Sequence, residues 1–474
     1  DPPRQTEDRM SPPCVAHFEG DNGGATYAGV TPTEVRIVMF YDGGQGSVTS
    51  RGQETTPTNT WKDLDDPPSP DDGREIRIMR AYQRYFNDRY QTYGRRVHMW
   101  IHFGGTAEQR TPEDRRAQAI EAHAKVDPFA ILTFATANSD AYVDATTELG
   151  IATFLGTRSN GSFGQRASFF LRRPGLAWSY NPSLDNRADM YASYVCDKLL
   201  PHPVSFSGNL DHGQPRTFGL VRRDDPAATD FYNFGLLIKE RLEGCGVEFV
   251  EGPWSNAAAG VAAFRQADVT TVLMTTASVD YTHAAAGISY YPELMIAGDD
   301  GAEMDLQGRL FNQAALQYAR LITIYPAVLD PQAQPCFKAY RDADPEASAL
   351  DARESACFWF HHLRQVFIGI QVAGPGLTPA SMERGLRAIP AVQSGDPAVP
   401  ACFYRPGDFT CVKDAQAQWW DPVGRPPDRN STGCWRMMEN GARYLAWEWP
   451  PGDPEEQRGT AETDPCNTQG ADVT

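Results

Sequence analysis

The chain has 474 residues, with 43 Lys and Arg against 61 Asp and Glu, a formal net charge of −18, and 41% hydrophobic residues. An acidic balance lacks the basic stripe that nucleic acid or anionic lipid requires, and this apolar content excludes global disorder. No run of 18 apolar residues is present, so no segment is expected to span a bilayer, and the length predicts two or three domains.

The opening, Asp1-Pro2-Pro3-Arg4-Gln5-Thr6-Glu7-Asp8, is polar and Pro-rich, and residues 1–27 read as a tether or a trimmed start rather than a signal peptide. From about residue 30, short β-rich runs alternate with helical patterns. Strands are predicted over 35–40, 97–103, 129–134 and 151–155. Ile76, Met79, Tyr82, Phe86 and Tyr90 recur at three- and four-residue spacing, the period of an amphipathic helix. Thr111-Pro112-Glu113-Asp114 carries an N-cap Thr, Pro at the first helical position and acids in the first turn. The stretch between, 63–72, is acidic and Pro-rich and reads as a surface loop.

The rhythm then repeats. Helices are predicted over 188–199 and 230–242, and strands over 217–221, 247–250, 270–275 and 294–297. Alternation of this kind predicts parallel sheets covered on both faces, and two successive arrays predict two lobes of similar design. After Leu321-Ile322-Thr323-Ile324-Tyr325, a helix around Cys357-Phe358-Trp359-Phe360 and Val366-Phe367-Ile368 is apolar nearly all round, hence buried. Thr378-Pro379 caps another. From about 395 the chain turns to Pro-, Gly- and Trp-rich loops with short strands, and 451–474 reads as a flexible tail.

The nine cysteines form no Cys-x-x-Cys pair, which excludes the common zinc and thioredoxin-like motifs. Scattered as they are in a Pro- and Trp-rich chain, they point to disulfides and an oxidising, extracytoplasmic location. Cys402 and Cys411 flank the turn Arg405-Pro406-Gly407-Asp408 and are expected to pair, followed by Cys336 with Cys357 and Cys196 with Cys245. Cys14, Cys434 and Cys466 stay unassigned, and the odd count leaves at least one thiol unpaired within the chain.

A catalytic constellation is not legible. Asp42-Gly43-Gly44-Gln45-Gly46-Ser47 follows a strand, but Thr49 stands where a dinucleotide fingerprint needs its third Gly. Neither a P-loop nor a Gly-x-Ser-x-Gly elbow is present. His361 and His362 are adjacent on a predicted apolar helix and so do not face one metal; they read as core histidines. The acidic run Asp63, Asp65, Asp66, Asp71 and Asp72 lacks an EF-hand spacing. The expectation is no enzyme, no metal and no cofactor.

Ligands of open parallel sheets bind outside the carboxyl ends of the strands. That rule selects the loops 41–47, 135–139, 156–162, 223–225, 275–278 and 298–301, several rich in hydroxyl and amide donors. Asn138, Ser139 and Thr276 are candidate ligand contacts there, with Tyr41, Tyr281 and Tyr325 as candidate walls. The bland alternative for each is turn chemistry or core packing.

The order of pieces resembles the type I periplasmic binding proteins, the branched-chain-amino-acid class of ABC-transporter solute receptors. The resemblance covers roughly 28–450. It rests on Tyr27-Ala28-Gly29-Val30-Thr31 before the first strand, on Tyr85-Phe86-Asn87 with Tyr93-Gly94-Arg95-Arg96-Val97, on Gly244-Cys245-Gly246-Val247, and on Tyr290-Tyr291-Pro292-Glu293 leading to Ile296-Ala297-Gly298-Asp299-Asp300-Gly301. The C-terminal portion, with Trp419-Trp420-Asp421-Pro422 and Gly433-Cys434-Trp435-Arg436, is similar to an elaborated actinobacterial-like subgroup. The long acidic first loop departs from the pattern, as does the missing glycine pair before Gly94. The resemblance implies two doubly wound lobes, 28–178 plus 325–388 and 179–324 plus 389–450, joined by a three-stranded hinge. It also implies a small-molecule ligand, a permease partner, and a zwitterion clamp of Thr136, Thr157 and Ser159 at one end and Asp300 at the other. An extracellular sensor or interaction module on the same fold is the rival reading.

Overall fold

A computed structural model describes residues 4, 8–42, 59–105, 111–134, 138–156, 164–208, 212–226, 229–298, 305–346, 357–393, 395–426 and 431–467. Among these, the first sheet is built from β1 (Glu34–Tyr41), β2 (Thr60–Asp63), β3 (Arg96–Phe103), β4 (Ala130–Phe134), β5 (Ala152–Leu155) and β6 (Ala177–Ser179). Their spatial order is β2-β3-β1-β4-β5-β6, parallel throughout except for β2. β2 was not predicted, because its run Thr-Trp-Lys-Asp is short and partly exposed. The second sheet takes β7 (Phe218–Arg222), β8 (Phe249–Pro253), β9 (Thr271–Met274), β10 (Glu293–Ala297), β11 (Ala319–Thr323), β12 (Asp414–Asp421), β13 (Cys434–Met437) and β14 (Arg443–Leu445). Its order is β13-β12-β11-β10-β9-β7-β8, with β14 on β12. β7 to β11 are parallel; β12, β13 and β14 run antiparallel.

The central strands are buried on both faces, which is why their sequences are near-continuous apolar runs. Ile37, Val38, Met39, Phe40 and Tyr41 of β1 are all fully buried. Thr111 and Asp114 close a capping box on the helix Pro112–Val126, and Thr378 and Ser381 do the same on Pro379–Ala388. The helix Cys357–Ala373 buries Trp359, Phe360, Leu363, Val366, Phe367 and Ile370 in the core of the first sheet.

Without β2, the first sheet reads β3-β1-β4-β5-β6 and the second β8-β7-β9-β10-β11 along its parallel part. Both are the same doubly wound order. In each, the chain leaves its first strand to one side and later returns to the other, creating a switch point between β1 and β4 and between β7 and β9.

Three segments connect the two sheets: the chain after β6, the chain after β11, and 389–413. They bond to one another. Ser179 donates N–H to Phe409 O and accepts from Cys411 N, both at 3.0 Å, and Val412 N reaches Tyr180 O at 3.0 Å. The second and third segments meet where Ala327 N donates to Pro397 O at 2.8 Å, and Arg443 of β14 bonds Ile324 O at 2.7 Å and Asp414 Oδ1 at 2.8 Å.

The two ends of the chain differ from their sequence reading. Residues 8–13 are no loose tether: Asp8, Met10 and Ser11 are buried, and Arg364 in the helix Cys357–Ala373 holds Asp8. Residues 451–467 are no free tail either. Asp464 accepts from Trp419 Nε1 at 2.9 Å, Asn467 N bonds Trp435 O at 2.8 Å, and Arg436 bridges Cys466 beside β13. This segment covers the edge of a sheet that would otherwise present unpaired backbone and bare tryptophan. Hydropathy alone does not reveal such an edge.

Candidate functional site

The carboxyl edge of the first sheet is fixed by a buried ion pair. Asp42, one residue past β1, meets Arg115 at 2.7 Å, and Arg115 also donates to Gln118 Oε1 at 3.1 Å. Gln118 in turn donates to Gly104 O at 3.1 Å, one residue past β3, so the two strand ends are pinned together. Tyr41, a candidate wall with core packing as the alternative, packs within the core of the first sheet. It is fully buried, edge-on to Phe103 and Trp359 at 6.2 and 5.4 Å between ring centres.

From Trp359 a continuous aromatic path runs to the hinge. Trp359 packs on Phe134, the last residue of β4, at 4.7 Å, and Phe134 on His362 at 5.2 Å. His362 meets Tyr180 at 5.7 Å, and Tyr180 stacks face to face on His361 at 5.3 Å. Burial and the neighbouring Arg364 guanidinium push the His361 imidazole well below its ordinary range, so it is neutral at pH 7. Tyr180 and His361 of this path also line a small cleft together with Arg4, Met10 and Tyr404. Reading the two histidines as core residues fits their packing; it missed that they sit at the sheet edge and the hinge. The run Trp359-Phe360-His361-His362 was the available signal.

Of the donors expected on this lobe, Asn138 is exposed, with φ 53, at the N-cap of the helix Ser139–Glu148. Ser139 is half-buried beside Gln165, whose amide donates to Asp140 at 2.7 Å. Thr136, Thr157, Ser159 and Asp300 lie outside the described residues.

On the second sheet, Thr276 lies just past β9 and is 4% exposed. Its hydroxyl, like that of the fully buried Thr275, has no hydrogen-bond partner among the described residues. A buried orphan hydroxyl costs roughly 1–3 kcal/mol and calls for an explanation. Arg223, just past β7, lies with its guanidinium carbon 3.4 Å from the Trp254 ring centre and 5.7 Å from that of Phe231. Arg187 donates to Gly298 O at 3.0 Å, holding the end of β10. Tyr281 packs in the core beside Phe264. Tyr325 is half-buried at the start of the second crossing segment, its carbonyl accepting from Gln416 and Arg443, each at 2.7 Å.

Two acids of the run after β2 are paired with the chain's own cations. Asp72 pairs with Arg80 at 2.6 Å and Lys62 at 3.2 Å, and Asp65 pairs with Arg96. Desolvation works against the Asp72 charge, but these cations and the Ser69 amide outweigh it and hold the carboxyl below its ordinary range.

No family model matches the chain, and no curated protein matches it in sequence. Solved structures do match its shape. A Leu-, Ile-, Val-, Thr- and Ala-binding protein from Brucella ovis, in a closed conformation, aligns with 89% of this chain and 98% of its own at 11% identity and TM-score 0.56. A branched-chain amino acid ABC transporter protein from Thermus thermophilus with bound valine aligns with 89% and 97% at 11% identity and TM-score 0.53. The fold is that of the type I periplasmic solute-binding proteins. A third such protein, from Rhodopseudomonas palustris and in complex with 3,4-dihydroxybenzoic acid, aligns with 90% and 99% at 13% identity and TM-score 0.52. All three solute-binding proteins are spanned almost end to end, so both lobes and the connecting segments belong to the shared architecture.

The four disulfides of this solute-binding fold are Cys196–Cys245, Cys336–Cys357, Cys402–Cys411 and Cys434–Cys466. The first three are the pairs that spacing selects. The fourth joins β13 to the C-terminal segment, which no sequence spacing indicates, and Cys14 is unpaired and exposed.

Proposed function

We propose that this protein is an extracytoplasmic receptor that captures a small solute between two lobes and delivers it to an ABC-transporter permease. The solute is amino-acid-like or amide-like, aromatic ones included. The lobes are 28–178 plus 325–388 and 179–324 plus 389–450. One observation carries the reading: two sheets of the same doubly wound order, joined by three segments of which the third bonds to each of the other two, in an arrangement shared across nearly the whole length of proteins named for solute binding. Hinge closure of two such lobes on a ligand is an ordinary domain motion.

Further support comes from Thr275 and Thr276 beyond β9, whose buried hydroxyls have no hydrogen-bond partner among the described residues, and from the four disulfides, which suit an oxidising compartment. No described helix is long and apolar enough to cross a membrane. The test is a thermal-shift screen against amino acids, amides and aromatic acids. A solute at a hundred times its Kd stabilises the folded state by about 2.7 kcal/mol. A shift confined to one chemical class supports the receptor; no shift with any class removes it.

A further inference from the structure

The small cleft at the hinge is built apart from the strand-end loops: no described residue of 41–47, 135–139, 156–162, 223–225, 275–278 or 298–301 lines it. Its walls come from four parts of the chain. The N-terminal segment gives Met10, the first crossing segment Tyr180, the third Ile389 and Val392, and the helix Cys357–Ala373 gives Ile368. His361 and Gln365 also line the cleft, at four- and three-residue spacing with Ile368, so the three share one face of that helix.

Two polar atoms of this face are unspent. Gln365 is 3% exposed and its amide nitrogen donates to Tyr404 Oη at 2.8 Å, but its Oε1 is buried with no partner among the described residues. His361 Nδ1, on a ring that burial keeps neutral, is likewise buried and without a partner there. A buried polar atom left unbonded costs free energy and calls for an occupant. The charges that line the cleft, by contrast, are matched: Arg364 pairs with Asp8, and Arg4 donates to Ser11 O and Pro390 O. That favours a neutral occupant. Gln365 Oε1 can only accept, whereas a neutral imidazole nitrogen either accepts or donates. One hydroxyl serves both, donating to Gln365 and accepting from His361 Nδ1–H. A water could make the same two bonds but would turn its others toward hydrocarbon, which an apolar body would cover instead.

We propose that the hinge cleft is a second ligand site, which takes a small neutral molecule with an apolar body and one hydroxyl, a phenol or a single-ring alcohol. It shares no residue with the strand-end loops of the receptor reading and stands or falls without that reading.

The experiment is NMR of the full chain, labelled at its Ile and Met methyl groups and titrated with benzyl alcohol, ethylbenzene and benzoate. Met10, Ile368 and Ile389 report the hinge cleft, and Met274 and Ile296 report the ends of β9 and β10. Benzyl alcohol is expected to shift the first group and leave the second in place, and to bind about fivefold more tightly than ethylbenzene or benzoate, the worth of one hydrogen bond. Gln365→Met should bring the alcohol down to the level of ethylbenzene, and Ile368→Trp, which fills the cleft, should abolish binding of both. Should Gln365→Met fail to fold, the wild type and Ile368→Trp carry the test. No shift of the cleft methyls with millimolar benzyl alcohol overturns the site and leaves its two atoms to water. Ethylbenzene or benzoate binding as tightly as the alcohol, shifts confined to Met274 and Ile296, or a Gln365→Met protein that keeps the preference overturns it equally.

Discussion

Asp8 and Arg364 form a buried ion pair between the start of the chain and the helix Cys357–Ala373, with Arg364 Nη1 at 3.0 and 3.1 Å from the two carboxylate oxygens. Both side chains are 3% exposed. Removing one partner strands the other charge in the interior, a loss of roughly 3–5 kcal/mol. Asp8→Ala is therefore expected to lower the urea midpoint steeply, and Asp8→Ala with Arg364→Met to recover most of the loss. An unchanged midpoint in Asp8→Ala would return residues 8–13 to the status of a tether.

Lys413 gives the protein an alkaline stability signature. Its ammonium donates to Thr410 O at 2.7 Å and pairs with Asp408 at 2.7 Å, yet burial outweighs the pair and pushes its pKa down to about 8 from an ordinary 10.5. Between these values the unfolded chain keeps a proton that the folded chain has released, so stability rises with pH across that window. Buried tyrosines such as Tyr82 and Tyr191, whose pKa values are raised by burial, act in the opposite direction above pH 10 because the unfolded phenols ionise first. The gain should therefore appear between pH 8 and about 10 and amount to on the order of 2 kcal/mol. Urea melts at pH 7.5 and 9.5 are expected to show it in the wild type and to show it diminished in Lys413→Met.

The Cys434–Cys466 bridge, closing 32 residues, fastens the C-terminal segment over the edge of β13. Replacing both cysteines by Ala is expected to cost about 2–4 kcal/mol and to speed amide exchange over 451–467. Peptide mapping under non-reducing conditions should recover four bridged pairs and an alkylatable Cys14. Cys466 found on any other partner would remove the assignment.

Thr276 should separate stability from binding. Val replaces its orphan hydroxyl with a methyl group of the same shape, so Thr276→Val is expected to raise the ligand-free stability by about 1 kcal/mol. The same change should weaken binding of the solute found in the thermal-shift screen by several-fold. Loss of stability in the free protein would show that the hydroxyl already has a partner.

Much of the architecture follows from local chemistry. Strand positions such as Val35 to Phe40 are readable because a strand buried on both faces must be apolar throughout, and the cap at Thr111 because a helix start needs an acceptor for its free amides. Three disulfides could be chosen from spacing, since their cysteines are separated by 9, 21 and 49 residues. What needed the fold is whatever joins distant segments. Asp8 finds Arg364 and Cys434 finds Cys466 because the sheets bring them together, not because of any pattern near them. The strand-end rule already selects Thr276 and the loop at 223–225, but only the pairing of β7 with β9 puts the two loops at one switch point. Register and strand order arise from the packing of whole layers, a property that no local window of residues contains.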